Sequence, residues 1–398
     1  MPPLLRRLHP LDLVAAVLLL CGLLCVASGL LPTGPAADVL HRIAPLLPFL
    51  ATVIVLAELT SQAEVFDVLA IRTARAARGS FGGLFLLCFG LAALTTAVLN
   101  LDTTAVLLTP VMLALAERVG AAPLPLAMTT VWLANTASLL LPVSNLTNLL
   151  AAERVSLSPT GLAGQMWAPQ LAALAATMAC LWLCYWRRGR RSADRYRVPP
   201  VRRPADPVLY RTCGVTCGAF LAAVLLLKVP LWAASSVAAG LAVAAFAVRR
   251  PGVLRPGLVP WRLLAFVPGL FLVVETLRVH GLGSLLGTLL GGGHGLPGLL
   301  RTAGVGAGLS NVINNLPAYL AGESALPGGG GHSQLLALLI GTNTGALVTP
   351  WASLAMLLWF ERCRAQGVRV PLGRFTLTSA LLATTAVTTA TAALAWTT

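Results

Sequence analysis

From residue 11 onward, apolar runs of about 20 residues alternate with short polar or arginine-bearing links. A run of that length crosses a hydrocarbon core roughly 30 Å thick as one helix. Such runs fall at 11–31, 43–60, 81–116, 124–150, 166–186, 208–228, 231–248, 262–278, 296–321, 333–359 and 376–396. The pattern predicts an all-α polytopic membrane protein. The first run is too long for the apolar region of a secretory signal and precedes no convincing small-residue cleavage site, so it reads as a retained span.

Arginine placement fixes the direction of these runs. Nine arginines lie at 187–211, the longest polar stretch, which the positive-inside rule places in the cytoplasm. Arg72, Arg75 and Arg78, then Arg249, Arg250 and Arg255, and finally Arg362, Arg364, Arg369 and Arg374 belong on the same side. Starting inside at Arg6 and Arg7, the walk closes only if 81–116 begins and ends inside and 296–321 begins and ends outside. Both are then re-entrant hairpins, and both have polar middles. Asn100, Asp102, Thr103 and Thr104 fall in the first, and Ser310, Asn311, Asn314 and Asn315 in the second.

The two halves also align. "ANTASLLLPVSNL" at 134–146 lies over "TNTGALVTPWASL" at 342–354 without a gap, matching Asn135 with Asn343, Thr136 with Thr344, Leu139 with Leu347, Pro142 with Pro350 and Leu146 with Leu354. Upstream, Asp102 falls near Asn314 and Glu58 near Glu275. The predicted organisation is an extra N-terminal span at 1–42, a first repeat at 43–186 with its hairpin at 81–116, a basic cytoplasmic linker with two spans at 187–261, and a second repeat at 262–398 with its hairpin at 296–321. The repeats are expected to be of opposite topology, giving nine full spans and two opposed hairpins, with the N-terminus in the cytoplasm and the C-terminus outside. Inverted repeats with helices broken at matching places are the pattern of secondary transporters, whose substrate sits where the breaks meet. Backbone freed at Pro142, Pro317 and Pro350 is tolerable in lipid only against protein or a wet cavity.

Composition narrows the chemistry. The chain is 57% hydrophobic and 10% charged, which excludes a soluble domain. Its 28 basic residues are arginines apart from Lys228, so no G-x-x-x-x-G-K-[ST] phosphate loop exists and the chain is not itself an ATP-driven pump. The arginines lie in short links between spans, a placement that orients helices rather than binding nucleic acid. The five histidines, His9, His41, His280, His294 and His332, stand at or near the ends of apolar runs with no H-E-x-x-H pattern, which argues against a metal-dependent enzyme. Neither a cofactor nor a bound metal is expected. Cys21 and Cys25, Cys180 and Cys184, and Cys213 and Cys217 pair at i, i+4. They read as small buried apolar residues, with a soft-metal site as the alternative.

The candidate substrate-binding residues are Asn100, Asp102, Thr103, Thr104, Asn135, Thr136, Ser144, Asn145, Asn311, Asn314, Asn315, Asn343, Thr344 and Thr349. Some of these serve only helix-to-helix hydrogen bonding. Three acids lie in apolar stretches: Glu58, Asp102 and Glu275. An ionised acid at mid-bilayer costs about 2.5–3.5 kcal/mol on insertion scales, so such residues line pathways or carry protons. Asp102, in a hairpin tip among Asn and Thr, is the leading proton-coupling residue. Glu58 and Glu275 are also candidates, with water-facing span ends as the alternative.

"LNLDTTAVLLTP" at 99–110, "ANTASLLLPVSNLTN" at 134–148, "LSNVINNLPAYL" at 309–320 and "GTNTGALVTPWASLAMLLW" at 341–359 resemble the arsenical pump membrane proteins, the arsenite and antimonite permeases of the ion transporter superfamily. The resemblance runs from about residue 43 to the C-terminus. It implies efflux of arsenite and antimonite by a proton-coupled, non-enzymatic secondary transporter in the cell membrane. The cargo would be a neutral trihydroxide that amides and hydroxyls can hydrogen-bond. The alternative within the superfamily is a sodium- or proton-coupled carboxylate-type anion transporter, and the distant one a channel or structural membrane protein. Expected partners are a small-molecule or ion substrate and the lipid bilayer. A separate arsenite-stimulated ATPase subunit and a homodimer are left open.

Overall fold

The computed structural model describes residues 10–98, 100–187, 195–200, 203–227, 229–291, 295–326 and 332–397. Arg6, Arg7, His9, Leu99, Arg188, Arg190, Arg191, Arg202, Lys228 and His294, on which the sequence reading draws, lie outside them. The described residues form helices and no strand. Helix is what lipid allows, because every backbone group in the hydrocarbon must find its partner within the segment or in packed protein.

In chain order the helices are α1 (Pro10–Ala27), α2 (Thr33–Ile43), α3 (Leu46–Gln62), α4 (Val65–Ala76), α5 (Phe81–Val98) and α6 (Leu101–Thr103). A π-helical turn at Thr104–Leu108 carries α6 into α7 (Thr109–Val119). Then come α8 (Pro123–Thr136), α9 (Leu146–Arg154), α10 (Pro159–Leu181), α11 (Pro207–Leu226), α12 (Leu231–Arg249), α13 (Trp261–Leu277) and α14 (Gly283–Leu290). The last five are α15 (Gly295–Ile313), α16 (Asn315–Ala325), α17 (His332–Thr344), α18 (Leu354–Ala365) and α19 (Leu372–Thr397). Among the described residues, the helical stretches Thr33–Gln62, Thr160–Trp186, Leu231–Arg249, Trp261–Leu290 and Leu372–Thr397 are long and apolar enough to cross a membrane. Leu13–Ala27 and Phe81–Ala97 are shorter apolar helices.

The chain divides into two compact units, each assembled from two separate stretches: Met1–Ala63 with Val208–Leu285, and Glu64–Pro207 with Leu286–Thr398. In the first unit α1 packs along α13 and α12 along α3. Gly269 permits the first contact, because a Cβ there would overlap the backbone of Leu18 and Leu19. Small residues let membrane helices approach in this way where no hydrophobic effect drives them together. The second contact carries a hydrogen bond between the hydroxyls of Thr52 and Ser235 at 2.7 Å.

In the second unit α15 packs against α17, and α10 against α19. A Cβ at Gly341 would overlap the carbonyl group of Ala303, and one at Gly345 the Ala307 side chain, so these glycines set the α15–α17 separation. The α10–α19 side is aromatic and hydroxylated. Trp132 Nε1 donates to Ser379 Oγ at 3.0 Å, and the Tyr185 and Thr378 hydroxyls lie 2.7 Å apart. The stretch 195–200 is strapped to the turn before α5, where Tyr196 N donates to the Gly79 carbonyl at 2.8 Å and the Tyr196 ring meets Phe81 edge-on at 5.2 Å.

Candidate functional site

The site lies in the second unit, where four helices lose their regular hydrogen bonds. The run 81–116 is broken once. Helix α5 ends at Val98, Asn100 adopts an extended backbone, and its Oδ1 accepts the Thr103 amide at 2.7 Å, restarting the chain as α6. Such a cap satisfies one of the amide donors that every helix start leaves open. Thr96 Oγ1 donates to Thr104 Oγ1 at 3.2 Å, and Thr104 Oγ1 donates to the Asn100 carbonyl at 2.9 Å, closing the tip. The run 296–321 breaks at Asn314, which takes φ of 84° and caps α16. With ψ of 151° this backbone lies outside the left-handed helical region, in a conformation that residues other than glycine rarely adopt.

The runs 124–150 and 333–359 are interrupted spans. Between α8 and α9, residues 137–145 form an irregular passage containing a short 3₁₀ turn at Pro142–Ser144, and residues 345–353 form a second irregular passage, of turns and bends, between α17 and α18. Residues matched by the sequence alignment take matching jobs at the exits. Asn145 Oδ1 accepts the Thr147 amide at 3.2 Å ahead of α9, and Ser353 Oγ accepts the Met356 amide at 3.2 Å ahead of α18.

Each passage is held by a side chain from elsewhere. Gln170 of α10 holds the first: its Oε1 accepts the Leu139 amide and its Nε2 donates to the Thr136 carbonyl, both at 2.9 Å. Asn311 of α15 holds the second. Its Nδ2 donates to the Gly345 carbonyl at 2.7 Å, and its Oδ1 accepts the amides of Val348 and Thr349 at 2.8 and 3.2 Å. Thr349 Oγ1 returns a bond to the Asn311 carbonyl at 2.8 Å. Asn314 Nδ2 donates to the Trp351 carbonyl and the Asn315 amide to the Ala352 carbonyl, each at 2.8 Å. Ser144 ties the first passage to its own hairpin by donating to the Ala97 carbonyl at 2.7 Å.

Asn343 joins the two interrupted spans at their breaks, and Trp359 Nε1 of α18 adds a bond to the Ala127 carbonyl of α8 at 2.9 Å. Asn343, at the end of α17, accepts on Oδ1 from Asn145 Nδ2 at 3.0 Å and from Thr147 Oγ1 at 2.7 Å, and donates from Nδ2 to Asn148 Oδ1 at 2.7 Å. Asn148 Nδ2 in turn donates to the Leu141 carbonyl at 2.9 Å across the first passage. Asn135 is placed differently. It is fully buried, its Nδ2 donates only to Val131 one turn back, and its Oδ1 has no hydrogen-bond partner among the described residues. Asp102 Oδ1 and Thr103 Oγ1 at the first hairpin tip are likewise buried and unpartnered. A buried polar atom without a partner costs about 1–3 kcal/mol, so such a set is an unusual feature that a ligand would explain.

Of the sequence candidates, the structure thus brings Asn145 to Asn343, Asn311 to Thr349, and Asn314 to the second passage. Thr136 Oγ1 accepts from Thr177 Oγ1 at 2.8 Å, and Thr344 Oγ1 donates back to Ile340 at 2.7 Å within its own helix. Glu58 and Glu275 belong to the first unit. Glu58 Oε1 accepts from Gln62 at 3.3 Å, and Glu275 is ion-paired with Arg278 at 2.5 Å. Gln170, Thr147, Asn148 and Ser353 were not among the candidates. Asn148 follows Asn145 by three residues, and Gln170, one of two amides in α10 with Gln165, directly follows Pro169.

The CitMHS family, described as citrate transporter, matches residues 7–341. The chain is 30% identical over 387 residues to the arsenical pump membrane protein of Yersinia enterocolitica, covering 91% of this chain and 89% of that one. It is 28% identical over 376 residues to the arsenical pump membrane protein of Escherichia coli, covering 89% and 86%. The solved structure of the Alcanivorax borkumensis YdaH transporter, titled as having an unusual topology, aligns with a TM-score of 0.47 at 17% identity, covering 91% of this chain and 86% of that one.

Proposed function

The chain belongs to the CitMHS family of membrane transporters, and from that premise we propose that it exports arsenite and antimonite by a proton-coupled secondary mechanism. It is a multi-pass membrane protein that moves a small molecule or ion. The observation that carries the substrate is the chemistry of the unpartnered atoms. They are an amide oxygen of Asn135, a hydroxyl of Thr103 and a carboxylate oxygen of Asp102. A neutral trihydroxide offers such a site three groups that both donate and accept. A multiply charged carboxylate would bring like charge to the buried Asp102 carboxylate, which desolvation strongly disfavours.

Asp102 is the proton carrier in this reading. Protonated, it donates to cargo or cavity; ionised, it is stabilised only while water reaches the tip. Alternation between the two states ties proton movement to opening. The repeats at 43–186 and 262–398 are inverted, with the basic linker and the N-terminus cytoplasmic, so the two hairpins open to opposite faces. Impermeant thiol labelling checks this topology: cysteines introduced at residues 118 and 190 should react from the same face, and reaction from opposite faces overturns it.

Expression in an arsenite-sensitive bacterium lacking its own pump tests the substrate. Restored growth on arsenite and antimonite is expected. Unchanged sensitivity with the protein present in the membrane overturns the reading. It would then favour the second one, uptake of a carboxylate with sodium or protons, which the citrate description of the matching family supports and which citrate uptake into vesicles would reveal.

A further inference from the structure

From the second hairpin tip outward, α16 carries a file of polar residues that starts at Asn315 of the central site and runs beyond it. Asn315, Tyr319 and Glu323 follow one another at intervals of four, so they lie along one face of the helix. They cover about 12 Å of its length, at 1.5 Å per residue. Gly322, three residues after Tyr319, borders this face and is packed: a Cβ there would come within 2.8 Å of Leu338 on α17. The Tyr319 ring is fully buried, yet its hydroxyl has no hydrogen-bond partner among the described residues. Phenylalanine would fill the same space without leaving that hydroxyl dry. At the far end of the file, Glu323 faces Arg154, the last residue of α9, with Nε and Oε1 3.8 Å apart and side chains 18% and 62% exposed. That separation is an ion pair too long for a hydrogen bond, and such half-wet pairs are held weakly.

We propose that the Asn315–Tyr319–Glu323 face of α16 is the half of the substrate path leading from the second hairpin tip to the surface, and that the Arg154–Glu323 pair is its gate. This rests on the proposed reading in one respect, that cargo is held at the helix breaks of this unit. The Tyr319 hydroxyl passes a small hydroxyl-bearing solute along by donating to it and accepting from it. The ion pair closes the rim when the path is empty and opens at little cost because water already reaches Arg154. The same topology that puts the second hairpin's base outside puts this gate at the outer face.

Two readouts test it, one of which needs no substrate. In a background without reactive cysteines, Tyr319→Cys should react with an impermeant thiol reagent added outside, and at least five-fold faster when Glu323→Gln removes the pair. Combining Arg154→Glu with Glu323→Arg should return the rate toward that of the intact pair. In vesicles, Tyr319→Phe should keep its melting temperature within about two degrees or raise it, and lose at least ten-fold in arsenite export. The proposal is overturned if Tyr319→Cys, folded by size-exclusion criteria, is inert to the outside reagent with and without Glu323→Gln. Normal export by Tyr319→Phe also overturns it. If the parent protein moves no arsenite but the labelling behaves as stated, the path stands and the arsenite reading alone fails.

Discussion

Asn343 and Asn135 stand at matching places in the two halves, each at the end of a helix that stops short, and they live in opposite circumstances. Asn343 makes three side-chain hydrogen bonds, to Asn145, Thr147 and Asn148, which occupy its oxygen twice and its nitrogen once. Asn135 makes one, to its own helix, and keeps a buried oxygen unused. The alignment explains the difference. The residues matching Asn145, Thr147 and Asn148 in the second half are Ser353, Ala355 and Met356. Two of the three polar partners are replaced by apolar side chains, and Ser353 Oγ is engaged with the Met356 amide. The hairpin tips repeat the contrast: Asn314 is bonded to Trp351, whereas Asp102 and Thr103 keep unpartnered oxygens. At these two places the second-half residues are fastened to neighbours, and the first-half ones keep buried polar atoms without partners among the described residues.

The largest effect should come from the fastened half. Gly341 matches Leu133, and only Gly341 sits where a Cβ would overlap a neighbouring carbonyl. Gly341→Ala should cost roughly 3 kcal/mol or more, because overpacking against backbone cannot relax by a rotamer change. Loss of the monodisperse species in detergent would show it, and an unchanged melting curve would mean that α15 and α17 tolerate separation. Next comes the hub. Asn343→Ala removes the common partner of three buried polar groups, and at roughly 0.6–2 kcal/mol for each membrane hydrogen bond the melting temperature should fall by several degrees. Asn135→Ala removes one bond within its helix, so stability should change by about 1 kcal/mol or less while arsenite export drops at least ten-fold. The crossed result, a stable Asn343→Ala and an unstable Asn135→Ala, would reverse the assignment of the two halves.

Much of this was legible before any coordinates. Arginine parity and polar midpoints located the breaks to within a few residues, since Asn100, Asn314, Pro142 and Pro350 all fall at or beside them. The pairing of the gap-free alignment fixed Asn145 and Asn343 as equivalents of Ser353 and Asn135, although not which member would be satisfied. That depended on Thr147 and Asn148, whose reach across to α17 is a long-range contact no local pattern encodes. The division into units also escaped the sequence. It joins residues 1–63 to 208–285, so it cuts across the two repeats that linear reading delimits. Gln170 shows the same blindness, because the Leu139 amide and the Thr136 carbonyl that it satisfies belong to another segment and become unpaired only once α8 ends.

The first hairpin tip provides the third test. Asp102→Asn keeps the shape and most hydrogen-bonding capacity of the side chain but cannot release a proton. Folding and substrate binding should be retained while export driven by an imposed pH gradient is abolished. Near-normal, pH-dependent export by this variant would move the proton carrier elsewhere, with Glu58 the first alternative.

The smallest effect belongs to Glu275, and it decides whether the difference between halves lies at the tips at all. Its carboxylate is ion-paired with Arg278 one turn on, Oε1 to Nη2 at 2.5 Å, with side chains 14% and 41% exposed. A pair of this kind, local in sequence and partly in water, contributes about 0.2–1 kcal/mol. Removing its charge should therefore do little beyond that. Glu275→Gln is expected to change the melting temperature by no more than a degree or two and to leave the rate and pH dependence of export within two-fold of the parent. The neutral side chain still accepts from Arg278, so the local bond survives in weaker form. A large loss of pH-driven export here, with Asp102→Asn nearly silent, would place the titrating group in the first unit and make the unsatisfied tip at Asp102 a matter of cargo alone.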